Sequence, residues 1–279
     1  MEEQILIKKA VSGDRDALDS LIKKYQNWVY NTAIIFVGDK DEAQDITQEV
    51  LIKMISNLGT FNEKSQFKTW LYRIIKNHFL NMKRGKYEQS TLNFEAFGKA
   101  LDSTPDEQFS GTSEAEEKLV LREAKISCMN GMLLCLDREQ RLIFLMGEIF
   151  EFADIAGAEV MEISRENFRV KLHRAKKQLY TFMDGKCGLI NKSNPCRCAR
   201  KTSGFIKAGY VDPNTLQFQK DKISSIREQL SNKIDALHHS INQEYKALFQ
   251  NNPFLDSPET SATIKRLLDS TSVRETFNL

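Results

Sequence analysis

The chain has 279 residues, 41% of them hydrophobic and 28% charged, with a formal net charge of +2; this is the make-up of a soluble globular protein of about two domains, and it excludes collagen-like, wholly disordered and small disulfide-stapled chains. The longest apolar runs, 33–37 and 142–146, fall far short of the roughly 20 residues a membrane helix needs, and no basic-then-apolar signal opens the chain, so a cytoplasmic protein without membrane insertion is expected. The small net charge hides segregation: 64–87 has no acidic residue, 102–123 carries seven acidic residues against two basic, and 165–201 sets only Glu166 and Asp184 against a run of basic residues, so two blocks that meet a polyanion are expected.

In chain order, Asp14 is placed to cap a helix whose apolar residues Leu18, Leu21, Ile22, Tyr25, Val29, Ala33 and Phe36 recur every three or four positions, with Gly38 as its stop. A second helix starts at Asp39 or Asp41 and carries Ile46, Val50, Met54 and Leu58. A third, capped by Ser65, places Phe67, Trp70, Leu71, Ile74, Ile75 and Met82 on one side and Lys68, Arg73, Lys76 and Lys83 on the other, one face for packing and one cationic. Trp70 is ambiguous between core and a base contact, and its neighbours favour core. Residues 88–113 lose this periodicity and gather Ser, Thr, Gly, Pro and acidic residues, the composition of a flexible linker.

A second domain is expected from Glu114, with Leu133, Leu134, Leu136, Ile143, Phe144 and Leu145 in its core and a helix-turn-helix over 154–182. In the last helix Phe168, Leu172, Ala175 and Leu179 share a face. Glu166, His173 and Lys177 point away, flanked by Arg169 and Arg174, as in a helix that enters a major groove. Beyond Asp184 come Cys187, Cys196 and Cys198 in a turn-rich stretch. A long amphipathic helix follows, with Ile223, Ile226, Leu230, Ile234, Leu237, Ile241, Tyr245 and Leu248 on one stripe, and a short one at 260–268.

Two blocks carry a family resemblance. Asp45-Ile46-Thr47-Gln48-Glu49-Val50 with Phe61 and the run from Phe67 to Asn77 resembles region 2 of bacterial extracytoplasmic-function (ECF) sigma factors. Leu136-Asp137-Arg138-Glu139-Gln140-Arg141, through Glu159 to Ser164 and on to Lys176, resembles their region 4. The resemblance implies an all-α protein of two small helical domains, region 2 at 1–87 and region 4 at 114–184, joined by the flexible linker 88–113 and followed by the Cys-bearing, helical extension 185–279.

It further implies a sigma factor, not itself an enzyme, that binds core RNA polymerase and promoter DNA, with an anti-sigma factor as a further kind of partner. Asp45, Gln48 and Glu49 would dock on polymerase. Phe61 and Asn77 would hold a flipped base of the minus-ten element while Lys68, Arg73, Lys76, Lys83 and Arg84 meet its phosphates. Ser164, Arg165, Arg169, Lys171, His173 and Arg174 would reach the minus-35 element, His173 as a phosphate or water-mediated contact. Two departures stand out: Glu162 occupies the turn where the family carries Gly, a poorer residue at positive φ, and Gly157 replaces an Ile, so a bent or looser supporting helix is expected.

Cys187, Cys196 and Cys198 are candidate zinc ligands that lack a fourth; Cys128, Cys135 or a histidine would have to supply it, and idle or redox-sensing thiols are the alternative. No other cofactor is expected. Two rival functions remain at this point: a helix-turn-helix regulator that acts without polymerase, and a metal or redox sensor working through the cysteines. No Gly-rich phosphate loop, metal-carboxylate cluster or nucleophile with a base supports an enzyme.

Overall fold

The computed structural model describes residues 2–83, 93–107, 109–110 and 114–213, which are helical throughout apart from turns and one isolated bridge between Cys187 and Cys196. Arg84 and the amphipathic helices expected in the tail lie outside the described residues.

The first group comprises α1 (Glu2–Val11), α2 (Arg15–Val37), α3 (Lys40–Ser56) and α4 (Phe67–Asn81). The Asp14 carboxylate accepts from the Ala17 N–H at 3.0 Å, and Gly38, at φ 72°, ends α2 with its N–H on the Ile34 carbonyl. Asp39 caps α3 in the same way, accepting from Glu42 N–H at 2.9 Å. Ser65 does not cap α4: Gln66 holds that position without a side-chain bond, and the helix begins at Phe67. The apolar faces meet around Leu21, Phe36, Val50, Leu71, Ile75 and Phe79, all fully buried.

Where a flexible linker is expected, residues Phe94–Ser103 form α5. Asn93 caps it on Ala96 N–H, and Phe94 and Phe97 pack against the ring of Phe182 with centroids 5.2 and 5.8 Å away. Gly98 permits that approach, since a Cβ there would stand 3.3 Å from the same ring. The small, polar and acidic residues around these three- and four-spaced apolar positions hid the helix.

The second group comprises α6 (Glu114–Leu134), α7 (Arg138–Phe144) continued by a wide turn at Leu145–Ile149, α8 (Asp154–Met161), α9 (Arg165–Lys186) and α10 (Cys198–Lys207). Helices α8 and α9 are the expected helix-turn-helix. Glu162 does take the left-handed conformation, φ 58°, that glycine would adopt more easily. Gly157, by contrast, does not loosen α8. A Cβ at this position would stand 2.3 Å from the tip of the Phe168 ring, so the missing side chain lets α9 seat Phe168 directly on the α8 backbone. Gly157→Ala gains up to about 1 kcal/mol of helix propensity, but overpacking costs about 1–3 kcal/mol. A net loss of roughly 1 kcal/mol in urea denaturation is expected; a gain would contradict this packing.

One apolar core runs through both groups, joining Phe36, Tyr72 and Phe79 to Met132, Phe144 and Phe168. A smaller cluster of Leu101, Val120, Ala124, Phe205 and Val211 lies under α10.

Candidate nucleic-acid interface

Helix α3 presents Asp45, Gln48 and Glu49 on one stripe, continued by Ile52, an apolar side chain 40% exposed. Ile46, Val50 and Met54 on the opposite side are buried, so packing fixes the helix rotation and leaves this stripe to solvent.

The basic arc of α4 behaves differently. Its side chains turn onto the second helical group. Arg73 pairs with Glu159 of α8, and Lys76, 7% exposed at its side chain, donates to the Glu162 carboxylate at 2.9 Å. The Lys76 ammonium holds the Glu162 carboxyl below its usual pKa. Lys68 sits over three rings, 5.4 Å from Trp28, 5.3 Å from Phe150 and 5.1 Å from Phe152, and burial lowers its pKa against the attraction of Glu151. Lys83 is exposed. Three of the cations expected to meet minus-ten phosphates are therefore covered by the helix-turn-helix and the turn that precedes it.

Phe61 packs edge-on to Phe67 at 5.2 Å and tilts against Trp70 at 5.7 Å, with Trp70 half-buried. Asn77 lies two turns along α4 from Trp70, about 10 Å of helix rise, and is exposed in a groove of about 530 Å³ between α3 and α4. Glu49, Lys53, His78 and Met82 also line that groove; Phe61 does not. The two groups expected to hold one flipped base thus stand apart.

His78, beside Asn77, is buried with its Nδ1 accepting from the Lys53 ammonium at 2.7 Å and with Glu49 at 3.8 Å. Burial first, and Lys53 second, lower its pKa, against Glu49. The unfolded chain therefore takes up this proton at a higher pH than the folded one. The contribution to stability is complete above the ordinary histidine value of about 6.5 and is lost as pH falls from there through the lower folded value. Urea midpoints should drop on acidification across that window, and His78→Gln should flatten the drop. An unchanged slope in that variant would assign the dependence to other groups.

On α9, Ser164 caps the helix by accepting from Asn167 N–H at 3.1 Å. Arg165 and Arg169 are roughly half exposed and both bind Asp154 at the start of α8, Arg165 at 2.8 Å; Asp154 is held below its usual pKa by these guanidinium groups, Arg165 first. Lys171 bonds Glu139 at 2.8 Å. His173 and Arg174 are both exposed. Phe168, Ala175 and Leu179 are buried behind them, so the outer face of α9 stays open.

Two arginines of the 136–141 motif have structural roles that residue spacing did not reveal. Arg138 donates to the carbonyls of Phe79 at 2.8 Å and Met82 at 2.7 Å, placing a cation on the C-terminal end of α4. Arg141 is 1% exposed and donates to the carbonyls of Leu133, Leu134 and Leu136 in its own group and to Phe36 at the end of α2, with its guanidinium 5.0 Å over the Phe36 ring. Free helix-end carbonyls were the available signal, because each helix leaves its last four without internal partners.

Residues 21–88 match the family described as Sigma-70 region 2. The chain is 29% identical over 185 residues to the RNA polymerase sigma-H factor of Pseudomonas aeruginosa, an alignment that covers 64% of this chain and 92% of that protein. It is 27% identical over 173 residues to the ECF RNA polymerase sigma factor SigW of Bacillus subtilis, covering 62% and 92%. A solved structure of CnrH in complex with the cytosolic domain of CnrY aligns at 18% identity with a TM-score of 0.47, over 66% of this chain and 98% of that one.

Proposed function

The chain belongs to the extracytoplasmic-function type of the sigma-70 family, and from that premise we propose how its surfaces direct core RNA polymerase to promoters. The α3 stripe of Asp45, Gln48, Glu49 and Ile52 docks on polymerase; the open face of α9 reads the minus-35 element; the basic arc of α4 meets the minus-ten element once the helix-turn-helix has moved off it. The single observation that carries this order of events is that α3 is open while Arg73 and Lys76 of α4 are occupied by Glu159 and Glu162. Docking needs no rearrangement. Contact with the minus-ten strand does.

The seam has features that favour its separation. Tyr72 Oη and Trp28 Nε1 are buried there without a hydrogen-bond partner, and Lys68 exchanges water for aromatic rings. Opening returns these groups to water, which offsets part of the cost of exposing the apolar surfaces between the two groups. The reaction itself belongs to polymerase; this chain supplies binding and strand selection.

The test of the docking surface is co-purification with core polymerase. Asp45→Ala with Glu49→Ala should weaken it with little change in thermal stability, since both side chains lie on a helix packed from the other side and the Glu49 contact with His78, at 3.8 Å, attracts only a protonated imidazole. Undiminished co-purification would remove α3 from the interface. Failure of the unaltered chain to bind core at all would instead favour the regulator that acts on duplex DNA alone.

A further inference from the structure

Four thiols from three separate parts of the chain gather behind the recognition helix. Cys187 ends α9, its N–H on the Met183 carbonyl at 2.7 Å, and is bridged to Cys196 across a loop of eight residues. That loop is built closely. Ile190 and Asn191 N–H both donate to the Cys187 carbonyl, Asn194 donates to the Asp184 carbonyl at 2.7 Å, and the Arg197 guanidinium binds the carbonyls of Lys192, Asn194 and Cys196. Gly188 is required: a Cβ there would fall 2.1 Å from both Arg197 Nη1 and the Cys196 carbonyl oxygen.

Cys198 opens α10, which packs on α6, and α6 carries Cys128 at the junction of the two apolar clusters. Each of Cys128, Cys187, Cys196 and Cys198 lies within electrostatic range of others in this set, Cys128 of all three and of Cys135 as well. Cys135, one heptad beyond Cys128, is turned to another partner; its sulfur is placed against the Gly131 carbonyl at 3.4 Å. All five cysteines are free thiols.

We propose that Cys128, Cys187, Cys196 and Cys198 form a four-thiolate site for zinc that fastens the start of the C-terminal extension to the second helical group. The loop supplies the physical argument. Residues 187–197 bury little apolar surface, yet they hold Cys187 and Cys196 side by side without a disulfide, and a metal is the usual alternative fastener for so small an element. Among the described residues no three potential ligands already stand in a metal-holding arrangement, so zinc has to draw the thiols together as it binds. Each thiol that ligates releases one proton to solvent, four in all, and the resulting charge of minus two on the zinc and its thiolates is offset by Lys125, Arg197 and Lys201 nearby. The fourth ligand missing from the 187–198 cluster is thus Cys128, some sixty residues upstream.

The experiment uses the full chain, purified under reducing conditions and loaded with zinc. One zinc per chain is expected, with single Ser variants at Cys128, Cys187, Cys196 or Cys198 retaining at least tenfold less and Cys135→Ser retaining it in full. Cobalt in place of zinc should give the intense visible bands of a tetrahedral tetrathiolate. Should the Ser variants fail to fold, the unaltered chain still decides: alkylation followed by mass spectrometry should find Cys135 modified and the other four protected by zinc, with all five modified after chelation. Absence of bound zinc, a cobalt spectrum without thiolate bands, or equal alkylation of all five thiols with and without zinc would each overturn the site. These readouts are independent of polymerase and promoter binding, so they stand or fall apart from the transcriptional role.

Discussion

Arg141→Ala is expected to be the most destabilising single substitution in the described structure. Its guanidinium serves four backbone carbonyls inside the core; truncation removes that donor from all four, Leu133 keeping the Leu136 N–H at 3.1 Å, and opens a cavity beside Phe36. An unsatisfied buried acceptor costs about 1–3 kcal/mol, so a loss of roughly 3 kcal/mol or more is expected in urea denaturation. Arg141→Lys should recover little, since an ammonium is a point donor that cannot span carbonyls arrayed around a planar fork. Arg141→Met, which restores apolar volume, should also fail because the carbonyls remain. A loss below about 0.5 kcal/mol, ordinary for a surface change, would contradict the role assigned to this side chain.

The second large effect concerns access to DNA. Glu159→Lys with Glu162→Lys places cations against Arg73 and Lys76, turning two attractions across the seam into repulsions. The closed arrangement should lose population, and affinity for a binding-competent form scales with the fraction of chains that adopt it. Polymerase-free protein should then bind a minus-ten single strand on the order of tenfold more tightly than the unaltered chain, with a steeper salt dependence because Arg73 and Lys76 become available to phosphates. Added lysines also attract DNA directly, so the control is Glu159→Gln with Glu162→Gln: this pair adds no basic group and should move affinity in the same direction by less. Unchanged affinity in both double variants would mean that the pairs do not restrain the seam.

Much of the first helical group was legible because its information is local. Asp14 and Gly38 bound α2 where the capping chemistry placed them, and the three- and four-residue spacing of Leu18 to Phe36 identified the buried face. What escaped the sequence was the pairing of surfaces far apart in the chain. The basic arc of α4 was plain from Lys68, Arg73 and Lys76, but composition is silent about which acidic residues face it, and Glu159 and Glu162 lie 86 residues away from their partners. The proposed choice of Cys128 over Cys135 rests on the same kind of distant pairing, since no spacing rule joins α6 to a loop after α9. Gly157 reads as looseness in the sequence because helix propensity concerns the isolated helix, whereas the Phe168 ring decides the residue at that position. Phe94, Phe97 and Leu101 carried a helical signal that the polar residues around them diluted.

The most direct test of the closed form is zero-length carbodiimide coupling, which joins an amine and a carboxylate only where they already touch. In the free chain the exposed Glu162 carboxylate should activate and couple to the Lys76 amine 2.9 Å away, giving one cross-linked peptide pair between α4 and the turn before α9. Assembly with core polymerase and a promoter should abolish that pair, because Lys76 is then released to the DNA. A cross-link of equal yield in the free chain and in the promoter complex would contradict the proposed opening, as would its absence from the free chain.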